Sequence, residues 1–355
     1  MPLTHWSRSE SGIMAFYNKL FSALGLDDWC GTSDDNAPLS LADLAALAGG
    51  EKASGPFFPI PSFDNLHESC NRVWQSRDVT NGIEEGFLAA KPVLKTVLDP
   101  ITQPLSWMLD SALWLFEAMP WFIMVPFLVA ISWYASRSRP VTIFVAVAIM
   151  LLALVDHYDV AMQTLSIIFV CTTISVLFGV PIGIAMSKSD RLQKSVVPLL
   201  DLLQTLPTFV YLIPLIFLFS VTESKLYGIA IILYAIVPVI RLTDLGIRLV
   251  DRDVIEAANA FGMNGRQKLL RVQLPLALPN IMAGINQTIM MSLAMVVIAS
   301  LVSAPGLGVN VLRGIRNLEL GVGIVAGIGI VLLAVILDRV SKAALARVDK
   351  TQFKH

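Results

Sequence analysis

The stretch Glu256-Ala-Ala-Asn-Ala-Phe-Gly262, continued by Val272-Gln-Leu-Pro275, is a polar island between long apolar runs. A membrane-spanning helix needs roughly 17–25 predominantly apolar residues. Runs without Asp, Glu, Lys or Arg reach that length at 118–136, 160–187, 202–222, 276–312 and 320–337. Two shorter runs, 140–155 and 226–240, reach it with their polar flanks. The pattern therefore predicts about seven spans by this length criterion.

The composition indicates the same class of protein. The chain has 355 residues, of which 55% are hydrophobic and 15% charged, whereas soluble domains carry roughly 25% charged residues. Lipid offers the backbone no hydrogen-bond partners, so each span must be helical. We expect an all-α membrane protein whose transmembrane domain covers residues 119–340.

The first part of the chain differs in character. Residues 1–100 hold 7 Lys and Arg against 13 Asp and Glu, and 31–62 are rich in Asp, Ser, Gly and Pro. This predicts an acidic, largely flexible tail over 1–82, without a cleaved signal peptide. Residues 83–118 show helical spacing broken at Pro92, Pro100 and Pro104, which favours short amphipathic helices on the membrane surface. A helix packed on the first span is the alternative.

Lys and Arg predict the orientation. Sixteen of them lie on the loops after spans one and three, on the end of span five and the loop after it, and on the C-terminal tail, 341–355, counted with Arg339 just before it; three lie on the opposite loops. Because cytoplasmic loops carry the excess of positive charge, the first set is expected in the cytoplasm. Seven spans then place the N-terminus outside and the loop 251–275 inside.

Capping patterns predict two short helices in that loop. Asp253 with Glu256 is an N-cap and capping-box pair, Gly262 supplies a left-handed C-terminal position, and Asn264 starts a second helix that Pro275 stops. Ala257 and Ala258 are expected to be exposed beside Glu256, forming a knob for a groove on a partner protein. The alternative is an amphipathic loop held by anionic lipid.

Two interrupted spans are candidates for a translocation path, because polar groups and broken helices at membrane depth are tolerated where they face protein or water. The alternative is ordinary helix packing with polar side chains as glue. The candidate path residues are Gln204, Thr205, Thr208, Tyr211, Asn286, Gln287 and Thr288. Glycines near four-residue spacing, at Gly179, Gly183, Gly321, Gly323, Gly327 and Gly329, predict close helix approach.

Ionisable and metal-binding groups restrict the chemistry. Arg241, Asp244 and Arg248 share one helix face, where they can pair. No isolated carboxylate lies mid-span, which argues against an ion-coupled carrier. The three cysteines have no metal-ligand spacing; Cys30 and Cys70 could pair only in an oxidising compartment. The phosphate loop of an ATPase is also missing from the sequence.

The pattern Glu256-Ala257-Ala258-x3-Gly262-x9-Val272-x-Leu274-Pro275 resembles the cytoplasmic loop of binding-protein-dependent ABC importer permeases. The segments 203–214, 272–288 and 295–300 look like the glycine betaine/proline betaine permeases of osmoprotectant uptake systems. The likeness extends over about 64–340. It implies a type I importer core in the bacterial inner membrane, in which this loop docks into the ATPase subunits.

The resemblance also implies the partners. Two copies of the chain would form the pore, with two ATPase subunits beneath, a periplasmic binding protein outside and lipid around; no nucleic acid is expected. ATP and Mg would bind the ATPase, leaving this chain without cofactor, metal or catalytic residue. Alternative cargoes are choline or carnitine, or less favourably an amino acid. Alternatives of other classes are an ATP-independent channel or ion-coupled carrier, and a membrane anchor.

Overall fold

The computed structural model describes residues 20, 21, 23, 24 and 76–352, with side chains in the longer part given from 79 to 346. The expectations for Cys30, Cys70 and the segment 31–62 lie outside these residues. Contacts divide the chain into two units, 1–93 and 94–355. The second unit contains the packed helices.

Across residues 76–352 the regular structure is helical. The helices are α1 (Ser76–Ala118), α2 (Trp121–Ser136), α3 (Arg139–Leu154), α4 (Tyr158–Lys188), α5 (Asp190–Thr205), α6 (Leu212–Leu218), α7 (Ser224–Arg248), α8 (Arg252–Ala260), α9 (Gly265–Lys268), α10 (Leu274–Ala299), α11 (Leu307–Arg316) and α12 (Leu320–Gln352). Short 3-10 turns cover Thr208–Tyr211 and Ser300–Val302, and a π-helical turn covers Leu269–Gln273.

Each apolar run predicted to span is occupied by helix, but the count by length is lower than seven. Within the described residues, four helices are long and apolar enough to cross a membrane: α4, α7, the continuous stretch Gly265–Val302, and α12. Two bent pairs raise the number to six: α1 with α2 at 113°, and α5 with Thr208–Leu218 at 105°. The remaining run is α3, of 16 residues. The seven-span count is therefore not confirmed.

α1 corrects the expectation of short helices. It is one continuous helix of 43 residues that begins at Ser76, so residues 76–82 are helical too, and Pro92, Pro100 and Pro104 do not end it. Each proline removes one backbone hydrogen bond, a local cost that tertiary packing can outweigh. Leu105 and Leu109 lie against Gly228 of α7, and Leu109 is fully buried.

A buried lysine fastens the same half of α1 to the start of α7. The Lys225 side chain is 4% exposed, and its Nζ lies 2.7 Å from both Asp99 of α1 and Glu223. The same Nζ sits 5.1 Å from the centre of the Phe219 ring. A buried charge needs paired partners, and the two carboxylates supply them.

α7 is the centre of the second unit, packed between α4 and α10. In α7, 61% of the 18-residue apolar stretch is buried, against 22% of the corresponding stretch of α12. Gly183 of α4 faces the carbonyl of Ile240 and the side chain of Thr243, and Gly284 of α10 faces the backbone of Val239. The small residues thus let three backbones approach closely, as small residues do at helix interfaces in membranes.

Candidate functional site: the exposed loop between α7 and α10

The loop begins where α7 ends at Arg248 and α8 starts at Arg252. The N-cap of α8 is Asp251, whose carboxylate accepts a hydrogen bond from the Asp253 backbone N–H at 3.0 Å. The expectation that Asp253 would cap this helix is therefore wrong by two residues. Asp253 lies in the first turn instead, where its negative charge interacts favourably with the positive end of the helix dipole.

Gly262 ends α8 in the predicted left-handed conformation, with φ 73°. The Met263 N–H donates to the Ala258 carbonyl at 3.1 Å, and the Gly262 N–H donates to the Asn259 carbonyl at 2.9 Å. This pair of bonds is a Schellman motif, which satisfies carbonyls that the helix end leaves free. The reversal of the chain after α8 therefore depends on the glycine.

α9 follows at once and carries the predicted capping box. The Asn264 side chain accepts from the Gln267 N–H at 2.9 Å, and the Gln267 side chain accepts from the Asn264 N–H at 3.1 Å. Lys268 Nζ donates to the Asn259 side chain at 2.9 Å, which ties α9 to α8. The two short helices are thus held to each other by side chains as well as by the turn.

Pro275 does not stop the second helix. The chain passes from α9 through the π-helical turn into α10, and Pro275 lies in the first turn of α10. Pro275 is thus accommodated directly after the π turn, and Leu269 of that turn packs with Ile247 and Ala277. The loop is therefore rooted directly in α10 at one end and linked by three residues to α7 at the other.

Exposure divides the residues of the motif. Glu256, Ala257 and Gly262 are exposed, while Val272, Leu274 and Pro275 are half-buried. Ala258 is 5% exposed, which corrects the expectation that both alanines form the outer surface. On a helix, consecutive residues point about 100° apart, since a turn takes about 3.6 residues, so one alanine faces outward and the next faces inward.

The most exposed large apolar side chain of the loop was not predicted from the sequence. Phe261 is 84% exposed, with Val254 and Leu270 also exposed nearby in the chain. Exposed apolar side chains on a polar element mark interaction surfaces, and aromatic side chains are frequent binding anchors. The signal available in the sequence was an aromatic residue directly before the turn glycine of a charged loop.

The first set of candidate path residues surrounds the break between α5 and α6. Gln204 and Thr208 are half-buried, and Thr205 is exposed, its hydroxyl donating to the Leu202 carbonyl at 3.3 Å. Tyr211 is 7% exposed, and its hydroxyl has no hydrogen-bond partner among the described residues. The turn Thr208–Tyr211 packs against α10, so the break contacts the helix that carries the second set.

The residues of the second set lie on different faces of α10. Asn286 donates to Asp338 of α12 at 3.4 Å and accepts a short bond from Ser341, whereas Gln287 is exposed. Thr288 is fully buried with an unpaired hydroxyl. Asn286 thus contributes to helix packing, the alternative raised for these residues, and the three do not share one face. Their role in a path remains a prediction.

No cluster of His, Cys, Asp or Glu suited to a metal ion occurs in the part of the chain that the structure describes. Cys171 is a free, fully buried thiol in α4.

Comparison with known proteins agrees with the family resemblance of the loop motif. Residues 175–350 match the family described as binding-protein-dependent transport system inner membrane component. The glycine betaine/proline betaine transport system permease protein ProW of Escherichia coli is 41% identical over 268 residues, which are 75% of this chain and 73% of that protein. The chain belongs to the family of binding-protein-dependent transport system inner membrane components.

The region matched by this chain covers most of the length of two further relatives. The glycine betaine transport system permease protein OpuAB of Bacillus subtilis is 43% identical over 63% of this chain and 79% of that protein. The glycine betaine/carnitine transport permease protein GbuB of Listeria monocytogenes is 39% identical over 68% of this chain and 87% of that protein.

Family membership confirms the predicted class. The chain is a multi-pass permease of the bacterial inner membrane and a transporter subunit, not an enzyme. A binding-protein-dependent permease works with a substrate-binding protein and a separate ATPase subunit. The permease therefore needs a surface for each of them, and the loop is the candidate for the ATPase.

Proposed function

We propose that the permease forms the membrane pathway of an ATP-driven importer for quaternary ammonium osmoprotectants, above all glycine betaine and proline betaine. The observation that carries this proposal is the 41% identity over three quarters of the chain to a permease named for those two substrates. Two copies of the permease enclose the pathway. A periplasmic binding protein delivers the substrate, and two ATPase subunits bind from the cytoplasm.

The loop 251–275 is the ATPase-docking element in this proposal. Phe261 and Glu256 enter a groove on the ATPase, with Ala257 and Gly262 giving room for close approach. The support is their exposure together with the rigid build of α8 and α9, held by a Schellman motif, a capping box and the Lys268–Asn259 bond. A preorganised loop loses little conformational freedom on docking.

ATP binding closes the two ATPases and moves the docked loop. The loop is continuous with α10 and three residues from α7, so its motion passes to the two helices at the centre of the packing. The spans then switch access from the outside to the cytoplasm. ATP and Mg stay with the partner subunit.

α1 is proposed to lie along the periplasmic surface of the inner membrane, ahead of the transmembrane helices in the chain. Its exposed apolar residues include Trp107 and Trp114, seven residues apart and therefore on one face. Tryptophan is enriched at membrane–water interfaces. The N-terminal tail lies in the periplasm and residues 341–355 lie in the cytoplasm.

The break after α5 is the proposed part of the path, with Gln204, Thr205, Thr208 and Tyr211. A quaternary ammonium ion has no N–H to donate and is attracted to aromatic faces. Tyr211 supplies such a ring beside the bent span. High-affinity recognition is expected in the binding protein, so the permease needs only a passage of low affinity.

Substrate competition in vesicles reconstituted with the permease, the ATPase and the binding protein tests the cargo. Labelled glycine betaine should be taken up with ATP and displaced by proline betaine. Preferential displacement by choline or carnitine would favour the second candidate cargo, which the name of the Listeria relative supports. Uptake that continues without the ATPase would refute the importer and favour a channel or carrier.

Glu256→Lys, Gly262→Asp and Phe261→Ala test the docking role. Each should reduce ATPase binding and uptake while the protein still reaches the membrane; loss of an interface hot spot costs roughly 2 kcal/mol or more, about a 30-fold weaker affinity. Leu318→Ala is the matched control, because Leu318 is 89% exposed on an opposite loop. Undiminished binding in all three variants would contradict the docking role.

A further inference from the structure

A network of charged and amide side chains joins three helices close in the chain to the start of the docking loop. Its centre is Asp244 of α7, a carboxylate that is 5% exposed. Asp244 accepts hydrogen bonds from Arg248 Nε at 2.9 Å and from Gln193 of α5 at 2.6 Å. A carboxylate buried to this degree is stable only with such partners, so its position fixes α5 against α7.

Arg248 extends the network to α4. One guanidinium nitrogen lies 2.7 Å from Asp190 of α5, and another donates to the Met186 carbonyl at 2.9 Å. Met186 lies in the last turn of α4, where carbonyls lack partners within the helix. One planar side chain thus binds three helices, a geometry that the forked donors of arginine allow and that lysine does not.

A second ion pair joins α5 and α7 two helical turns away. Arg241 of α7 pairs with Asp201 of α5. The sequence predicted pairing on the face of Arg241, Asp244 and Arg248; this is confirmed for Arg248 with Asp244, whereas Arg241 turns to a neighbouring helix. α5 is therefore tied to α7 near both of its ends.

An apolar seam adjoins both ties: Met186 also belongs to the first, and Leu200 and Ile240 directly precede Asp201 and Arg241 of the second. Met186, Leu200, Val237 and Ile240 form a buried cluster from α4, α5 and α7, with half-buried side chains of α5 packed against it. Polar ties that accompany a close-packed seam oppose sliding as well as separation, since packed interiors deform little.

We infer that Asp244 and Arg248 are positioning residues that make α5 and α7 one rigid lever, which carries the motion of the docking loop to the break in span four. Three residues separate Arg248 from α8, and α5 ends at Thr205, two residues before Pro207. The lever thus has the docking loop at one end and the candidate path at the other. This inference rests on the proposed docking of the ATPase.

Uncoupling distinguishes this role from a purely structural one. Asp244→Asn and Arg248→Lys are expected to keep ATPase binding and hydrolysis, while the substrate imported per ATP falls roughly 2- to 30-fold, the range of mutations that modulate coupling between sites. Arg191→Gln, an exposed arginine of α5, is the control and should leave that ratio unchanged. A normal ratio in both variants, or an equal fall in the control, would overturn the inference.

Cross-linking tests the lever by replacing the Arg241–Asp201 pair with a covalent tie at the same place, while the contacts of Asp244 and Arg248 are kept. With Cys30, Cys70 and Cys171 replaced by serine, Asp201→Cys and Arg241→Cys can be joined by a short bifunctional thiol reagent. Because α5 and α7 move together, the cross-linked permease should import at the rate of the same variant left unlinked. Loss of import on cross-linking would show that the helices move apart and would overturn the inference.

The same preparations separate this inference from the proposed function. If the wild-type permease neither binds the ATPase nor stimulates it, the docking proposal itself fails. If the wild type binds and imports normally while both charge variants retain normal import per ATP, only the lever fails.

Discussion

Gly262 shows how a single residue can decide the shape of the docking loop. Its φ of 73° lies in the left-handed region, and a Cβ added there would meet no atom within 4 Å. Space therefore does not require glycine, but the backbone angle does. Phe261, directly before it, is presented to the outside by the turn that this angle creates.

Gly262→Ala is expected to weaken the turn by about 1–2 kcal/mol, the cost of the left-handed angle for an L-residue. ATPase affinity and uptake should both fall. Gly265→Ala is a matched control, because Gly265 also has free space but carries no left-handed angle. Titration of the ATPase onto reconstituted permease measures the effect. Equal affinity of the two variants would contradict the role given to the angle.

At the scale of elements, the contact of α4 with α7 depends on small residues. The glycine spacing predicted close approach, and this is confirmed for Gly179 and Gly183 of α4. Gly321 and Gly327 of α12, from the same prediction, have nothing within 4 Å of an added Cβ in this chain. Spacing alone does not distinguish the two cases, because it says nothing about what lies opposite.

Gly183→Val is expected to destabilise the protein by roughly 1–3 kcal/mol, since overpacking forces a close-packed interface apart. An added Cβ would lie 2.6 Å from the Ile240 carbonyl oxygen, which is backbone and cannot rotate away. Gly321→Val is the control. The thermal midpoint of the purified protein in detergent should fall for the first variant more than for the second. Matching midpoints would refute the close approach.

The attachment of α1 to α7 makes a second prediction at this scale. Lys225→Met removes the cation between two carboxylates, and breaking a buried pair costs roughly 3–5 kcal/mol, less here because Asp99 and Glu223 remain about a third exposed. We expect a lower thermal midpoint. Lys342→Met, at an ion pair whose lysine is 63% exposed, should change it little. Similar thermal midpoints for both variants would show that the pairing of Lys225 with Asp99 and Glu223 does not stabilise the protein.

For the whole molecule, charge placement predicts the orientation, whereas it does not predict the number of crossings. The described helices include four spans, or six with the bent pairs, and the remaining α3 has 16 residues. An odd number of crossings would put the two termini on opposite sides. The bends at 113° and 105° decide whether a helix pair crosses or lies along the surface.

Labelling from one side of the membrane measures this orientation. In a background with the three native cysteines replaced by serine, Leu318→Cys should react with an impermeant maleimide on intact spheroplasts. Phe261→Cys should react only after the membrane is opened. Both residues are more than four-fifths exposed, so access is the only difference. Labelling of Phe261→Cys from outside would reverse the predicted orientation.

The sequence by itself determined the properties that are local along the chain. Runs of apolar residues predicted helices, the Asn264–Gln267 spacing predicted a capping box, and the glycine at 262 predicted a left-handed turn, all of which the structure confirms as local features. The motif from Glu256 to Pro275 also predicted the family. Such features depend on length, period and backbone preference within a few turns.

The tertiary structure alone decided what each residue faces. It placed Ala258 inside and Phe261 outside, kept α1 continuous through three prolines, turned Arg241 toward Asp201, and joined Asn286 to α12. These outcomes depend on groups far apart in sequence. Lys225 is buried because Asp99 of the distant α1 joins the neighbouring Glu223 in pairing with it, and no local pattern contains that information.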